Sequence, residues 1–224
     1  MVDTADITFL FDVDNTLVDN DTIQREIREH LESSYGREAR ERYWTIFEEL
    51  WGELGYADYL GALEQYRSEQ LHDPRILRFA NWLVDYPFAD RLYPQALDAV
   101  SHIKRLAPAV ILSDGDAVFQ PRKIERSGLW KEFAGNVLVY IHKEQELDDV
   151  AHWYPAKHYV LIDDKLRILD AVKKTWGEKV TTVFVKQGHY AFDTKALAGY
   201  RQADMVIEHI GVLTRLGVSD FEKG

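Results

Sequence analysis

The spacing of apolar residues divides the chain into stretches of different period. Ile7, Thr8, Phe9, Leu10 and Phe11 form a nearly unbroken apolar run, the kind that a parallel strand buried on both faces requires. From residue 20 the period lengthens. Ile23, Ile27 and Leu31, then Tyr43, Phe47, Leu50, Trp51 and Leu54, recur at helical spacing with charged residues between them, which predicts amphipathic helices. Asn20 or Asp21 is the expected N-cap of the first helix, and Gly36 and Gly55 the expected breaks. Asp73 and Pro74 predict the start of another, carrying Ile76, Leu77, Phe79, Ala80, Leu83 and Val84. About four helices and no strand are expected over 20–92.

After Tyr93 and Pro94 the pattern alternates. Helices are expected over 95–106, 121–130 and 167–176, the last closed by Gly177. Strands are expected over 109–112, 136–141, 159–162 and 179–185, with a short one over 205–207 followed by a helix. Strands alternating with helices imply right-handed crossovers and a parallel sheet covered on both faces. The expected fold is therefore α/β, a Rossmann-like core built from 1–19 and 93–224. An all-helical unit, 20–92, is inserted after the first strand. The chain leaves that core around 19–21 and returns around 86–87, and two crossings at one edge form a hinge.

Composition narrows the functional classes. The 224 residues carry 27 Lys and Arg against 38 Asp and Glu, a formal charge of −11, which argues against broad binding to nucleic acid or anionic membranes. There is no cysteine, hence no disulfide framework and no thiolate nucleophile or metal ligand. No basic patch followed by an apolar stretch opens the chain, and no apolar run is long enough to span a bilayer. A soluble, cytoplasmic protein acting on a small molecule is expected; the oligomeric state is not legible.

Chemistry gathers where strands end. Asp12 and Asp14 close the first strand two residues apart, so extended geometry would bring both carboxylates to one spot. Two close carboxylates call for a hard cation such as Mg²⁺ between them or for a shared proton. Ser113 and Asp114 follow the second expected strand, Lys143 the third, and Asp163 and Asp164 the fourth. Parallel strands place such ends along one edge, where open α/β sheets bind ligands. A carboxylate there can attack phosphorus, a second can move the leaving-group proton, and a hydroxyl and an ammonium can hold phosphoryl oxygens. Lys123 is a rival to Lys143, but it lies inside a predicted helix. His142 and His189 are read as structural or exposed.

Phe11-Asp12-Val13-Asp14-Asn15-Thr16, Ile111-Leu112-Ser113-Asp114-Gly115, Lys143 and Val160-Leu161-Ile162-Asp163-Asp164 together resemble the four motifs of the haloacid dehalogenase-like hydrolases. The likeness covers nearly the whole chain, with 20–92 in the place of a helical cap. It implies Asp12 as nucleophile and metal ligand, and Asp14 as general acid/base with its backbone carbonyl on the metal. Ser113, Asp114 and Lys143 are then phosphate-binding, and Asp163 and Asp164 complete a Mg²⁺ site. Lys165-Leu166-Arg167 departs from the family, where small residues are common after the acidic pair.

The implied activity is Mg²⁺-dependent hydrolysis of a small phosphomonoester through an aspartyl-phosphate. A phosphomutase on the same core, or a catalytically silent phosphoryl-binding module, are the alternatives. Dehalogenases of this superfamily usually lack the second Asp of the first motif. A phosphonatase would need a lysine in the cap, and 20–92 contains none. The cap's arginines, among them Arg25, Arg28, Arg37 and Arg40, are either solvated helix faces or binders of a second anionic group.

Overall fold

The computed structural model describes residues 4–221; positions 1–3 and 222–224 of the expected core lie outside the described residues. Six parallel strands form one sheet: β1 (Ala5–Phe11), β2 (Ala109–Asp114), β3 (Val137–Tyr140), β4 (Ala156–Asp163), β5 (Val180–Val185) and β6 (Met205–Ile207). Their spatial order is β3-β2-β1-β4-β5-β6. Between β1 and β2 lie α1 (Asn20–Tyr35), α2 (Arg37–Leu54), α3 (Tyr59–Glu69), α4 (Ile76–Val84) and α5 (Ala96–Lys104). Then come α6 (Phe119–Arg126) and α7 (Leu129–Glu132) after β2, α8 (Leu147–Trp153) after β3, α9 (Leu166–Trp176) after β4 and α10 (Thr194–Leu197) after β5.

The apolar run of β1 serves both faces because successive side chains point to opposite sides of a strand. Ile7, Phe9 and Phe11 pack in one core with Val100 and Ile103 of α5 and Phe119 and Ile124 of α6. Leu10 belongs to the other, with Val110, Leu161 and, from α9, Leu169 and Val172. Phe11 lies level with Ile111 of β2 and with Ile162 of β4. The residues that follow these three strands therefore emerge at one height. The chain runs from β1 to one side and reaches β4 on the other, so the crevice of the sheet opens beside β1.

Residues 20–84 are helical throughout their regular structure, and the chain segments that join them to the sheet run side by side. Val18 and Leu92 form an antiparallel bridge. The Asp19 amide donates to Arg91 O at 2.7 Å and the Tyr93 amide to Leu17 O at 2.9 Å.

Several local expectations shift. Asp19, not Asn20 or Asp21, caps α1, its carboxylate accepting from Thr22 N at 2.9 Å and Thr22 Oγ1 at 2.8 Å. The Asn20 and Asp21 amides are instead taken by Asn15 Oδ1, at 3.0 and 3.2 Å. Asp73 holds the Arg75 amide in a turn, and α4 starts only at Ile76. The helix expected over 121–130 is two, divided at Gly128, whose left-handed φ of 84° ends the first. The segment after β6 is a 3₁₀ turn over Ile210–Arg215. The unpredicted α8 is too short to show a period; only Leu147 and Val150 are buried.

Asn15 is the pin of the loop after β1. Its own φ is 59°, a conformation asparagine tolerates better than most residues. Across from it Gly188, φ 68°, lies so close that a Cβ there would meet Asn15 Cγ at 2.4 Å. Gly188→Ala is therefore expected to cost about 2 kcal/mol from left-handed strain and this clash, lowering Tm by about 4–8 °C. Thermal unfolding checks this; an unchanged Tm would show that the Asn15 loop yields without cost.

Candidate active site

The ladder persists one residue past β1, the Asp12 amide donating to Ile162 O at 3.0 Å. This fixes Asp12 beside the end of β4, where Asp163 and Asp164 follow the same height. All three carboxylates are buried, and one oxygen from each lies within 4.8 Å of the others. Lys143 enters from the turn after β3. Its ammonium is 2.5 Å from Asp12 Oδ1 and 2.7 Å from Asp163 Oδ2, and it also donates to Leu112 O at 3.3 Å. Asp114 Oδ1 accepts the Lys143 amide at 2.7 Å, so the carboxylate grouped with the phosphate binders holds the lysine's backbone.

Asp14 goes elsewhere. The chain turns at Asn15, and the Asp14 carboxylate meets a second buried lysine, Lys123 of α6, at 2.6 Å. Lys123 also donates to Asn20 Oδ1 at 3.2 Å. The two carboxylates of the Asp-x-Asp pair thus face different ammonium groups rather than one spot. One turn before Lys123, Gln120 Nε2 donates to Ser113 Oγ at 2.9 Å and lies 3.5 Å from Asp14 Oδ2. Helix α6 therefore joins the second strand end to the first. The spacing of Gln120 and Lys123 on one helix face, just after Ser113-Asp114-Gly115, is the signal that could have drawn Lys123 into the expected site beside Lys143.

His189 and His142 tie loops of the sheet to the helical segment. His189 donates its amide to Asp21 Oδ2 at 2.7 Å, and its Nδ1 lies 2.6 Å from Asp21 Oδ1. The His142 ring lies against Gly55, where a Cβ would meet Cε1 at 2.5 Å.

Burial sets the electrostatics of the cluster. It pushes the Asp163 carboxyl up to about 6, against the opposing pull of Lys143, and drives Asp164 well above the usual carboxylate range. Burial also raises Asp114. Burial alone would lower the Lys143 ammonium, but Asp12, Asp163 and Asp114 hold it well above its ordinary value. Among the described residues, Asp12 Oδ2 and both oxygens of Asp164 have no hydrogen-bond partner. Buried carboxylate oxygens without partners are costly unless a cation satisfies them. Three such groups supplying only oxygen fit a hard divalent metal.

Comparison with known proteins agrees with this geometry. A family profile described as haloacid dehalogenase-like hydrolase matches residues 8–150. A crystal structure of a protein from Burkholderia xenovorans LB400, described as haloacid dehalogenase-like, is 57% identical and has a TM-score of 0.92. The match covers 96% of this chain and 100% of that one. Two more distant structures share the fold. One is YfnB of Bacillus subtilis, solved bound to magnesium, at 15% identity, TM-score 0.61 and 95% and 98% coverage of this chain and that one. The other is the L-2-haloacid dehalogenase of Xanthobacter autotrophicus with chloropropionic acid covalently bound, at 18%, 0.57, and 93% and 97%. No curated protein matches the chain. With the profile spanning more than half of the residues and the Burkholderia protein matching end to end, this chain belongs to the haloacid dehalogenase-like hydrolases.

Proposed function

We infer that this hydrolase is a Mg²⁺-dependent phosphatase of small phosphomonoesters. The observation that carries the reading is the set of three buried carboxylates, Asp12, Asp163 and Asp164, in which Asp12 Oδ2 and both Asp164 oxygens lack partners among the described residues, beside an Asp14 that lines the adjoining cavity. A metal-free displacement, such as dehalogenation, has no use for the bare Asp164 carboxylate. It also has no leaving group that needs a proton from Asp14.

Asp12, Asp163 and Asp164 would hold Mg²⁺ with the Asp14 backbone carbonyl, and the bound ion would offset the charge of the phosphoryl oxygens. Lys143 fixes one Asp12 oxygen and leaves the other free to attack phosphorus. As the new P–O bond forms, the ester P–O bond breaks and Asp14 gives its proton to the departing oxygen. Asp14 then takes a proton from water, whose oxygen attacks the same phosphorus. The bond to Asp12 breaks, and inorganic phosphate leaves. Lys123 orients Asp14 for both transfers, while Ser113 and Lys143 bind phosphoryl oxygens. Helices α1–α4 would act as the cap that closes over the substrate.

Three outcomes follow from these roles. Hydrolysis of p-nitrophenyl phosphate is expected to need Mg²⁺, to stop with EDTA, and to fall by about three orders of magnitude or more in Asp12→Asn. Retained turnover in a clean preparation of that variant would end the covalent mechanism. Asp14→Asn and Lys123→Met are both expected to impair alkyl phosphates about tenfold more than aryl phosphates, whose leaving groups need little protonation. Equal losses on both substrates, read as kcat/KM, would remove Asp14 as the acid.

The third concerns metal and pH. In the metal-free protein Asp163 keeps its proton up to about 6, whereas the unfolded chain loses it near 3.8. The native state thus binds the extra proton between those values, and this group's contribution to stability falls as pH rises through that window. Metal binding needs the deprotonated form. Mg²⁺ at ten times its Kd is therefore expected to add about 1.4 kcal/mol, or about 3–6 °C in Tm, at pH 8. It should add much less at pH 5. A Tm shift independent of pH, or one that survives Asp164→Asn, would place the metal elsewhere.

A further inference from the structure

Between the strand ends and the helical segment lies a cavity of about 330 Å³, a size suited to a small molecule. Asp14 and Lys123 line it. Its helical wall is aromatic, formed by Trp44, Phe47 and Trp51 of α2, Tyr56, and Tyr59 of α3. Trp51 is 45% exposed there, large apolar surface left without a partner. Rings of this kind favour a flat or apolar body laid against them.

The charge of the cavity runs against that of the chain. Arg28, Lys123, Lys165, Arg167 and Lys195 line it, against the carboxylates of Asp14, Glu48 and Asp114, in a chain whose acidic residues outnumber its basic ones. Most of these cations are engaged. Lys123 pairs with Asp14, and Arg167 with Glu144 at 2.6 Å. Arg28 lies 3.9 Å over the Trp44 ring and 3.9 Å from Glu48. The other arginines of the helical segment mostly pair with neighbouring carboxylates, as in Arg25 with Glu29, Arg37 with Glu41 and Arg75 with Asp73. They act as solvated helix faces rather than as binders of an anion.

Lys165 is different. It is partly buried, and its ammonium faces the Tyr190 ring at 5.2 Å. Among the described residues no carboxylate lies within ion-pair distance of it, although Asp164, Asp12 and Asp163 are near enough to hold it above its ordinary value against the lowering pull of burial. Its backbone is held, the amide donating to Asp163 Oδ1 at 2.8 Å. A lysine anchored at its main chain, with an ammonium at the cavity wall that makes no direct ion pair among the described residues, is placed to meet a charge that a ligand brings. It stands where small residues are common in this family. Lys195, an exposed residue of the same lining, is a second cation without an ion pair among the described residues.

We propose that the cavity takes a small phosphomonoester with a flat or apolar body against the aromatic wall and a second anionic group bound by Lys165. The phosphoryl end of this assignment rests on the phosphatase reading; the second-anion site rests on the cavity alone. The second group is a carboxylate or another phosphate, which share the chemistry Lys165 recognises.

The test is equilibrium binding by calorimetry to Asp12→Asn with Mg²⁺. Three probes are used: 4-carboxyphenyl phosphate, 1,4-phenylene bisphosphate and the uncharged isostere 4-carbamoylphenyl phosphate. At least one doubly anionic probe is expected to bind about tenfold or more tightly than the isostere, and the stronger of the two identifies the group. Adding Lys165→Met should shrink that preference to about twofold or less, while Lys165→Arg, which keeps the charge, should retain it. Equal binding of all three probes, or a preference that survives Lys165→Met, would overturn the proposal. Wild type that releases no phosphate from any probe, with the binding preference intact, would overturn the phosphatase reading and leave the second-anion site standing.

Discussion

The buried ammonium of Lys143, set between Asp12 and Asp163, is the contact on which the site depends. Two unit charges of like sign about 4 Å apart repel by about 4 kcal/mol at an effective dielectric of about 20, and here three buried carboxylates are gathered. One lysine cannot balance them all. It fixes Asp12 and Asp163, and leaves Asp12 Oδ2 and the whole Asp164 carboxylate without partners. The remaining deficit is why the cluster fits a cation and does not close as a salt-bridge network. Much else in the core serves to keep Lys143 there: β3 carries the chain to the right height, and Asp114 holds the amide of the lysine itself.

A second ion pair organises the other half of the site. Lys123 reaches Asp14 from helix α6, on the far side of the turn that Asn15 makes possible. The same Asn15 side chain receives the first amides of α1 and donates to Asp21, and Asp21 in turn holds His189 from the loop after β5. The turn that carries Asp14, the start of the helical segment and a loop of the sheet are thus linked by one short chain of hydrogen bonds. A movement of α1 relative to the sheet would be felt at Asp14 before it was felt at Asp12, whose partners all belong to strands or the turns that follow them.

Much of this was legible before the structure. The apolar runs of β1, β2, β4 and β5 are unbroken enough to identify buried parallel strands, and their polar ends could be brought together by topology alone. In the sequence Lys123 ranks below Lys143 because it lies inside a helix; its side chain nonetheless arrives at Asp14, since a helix that starts beside one strand end can project a residue toward the next. The N-cap of α1 was misplaced because the amides of Asn20 and Asp21 are claimed by Asn15, a contact across a turn that propensity does not register. The cap arginines stand out by their number, yet among the described residues the partly buried cation of the cavity that makes no ion pair is Lys165, seen in sequence only as a departure from the family.

By itself the sequence determined the parallel α/β core, the helical stretch after its first strand, and the set of residues at the strand ends. These follow from the period of the apolar positions and from the rule that parallel strands share one carboxyl edge. Only the tertiary structure decided which charge meets which. Asp12 and Asp14, two residues apart, pair with lysines from different elements because the chain turns between them, and among the described residues Asp164 has no cation within ion-pair distance, Lys165 acting on it only from farther off. Pairing of this kind is settled by distances between segments far apart in sequence, where a shift of a few ångströms exchanges a partner for a vacancy, and local pattern carries no record of it.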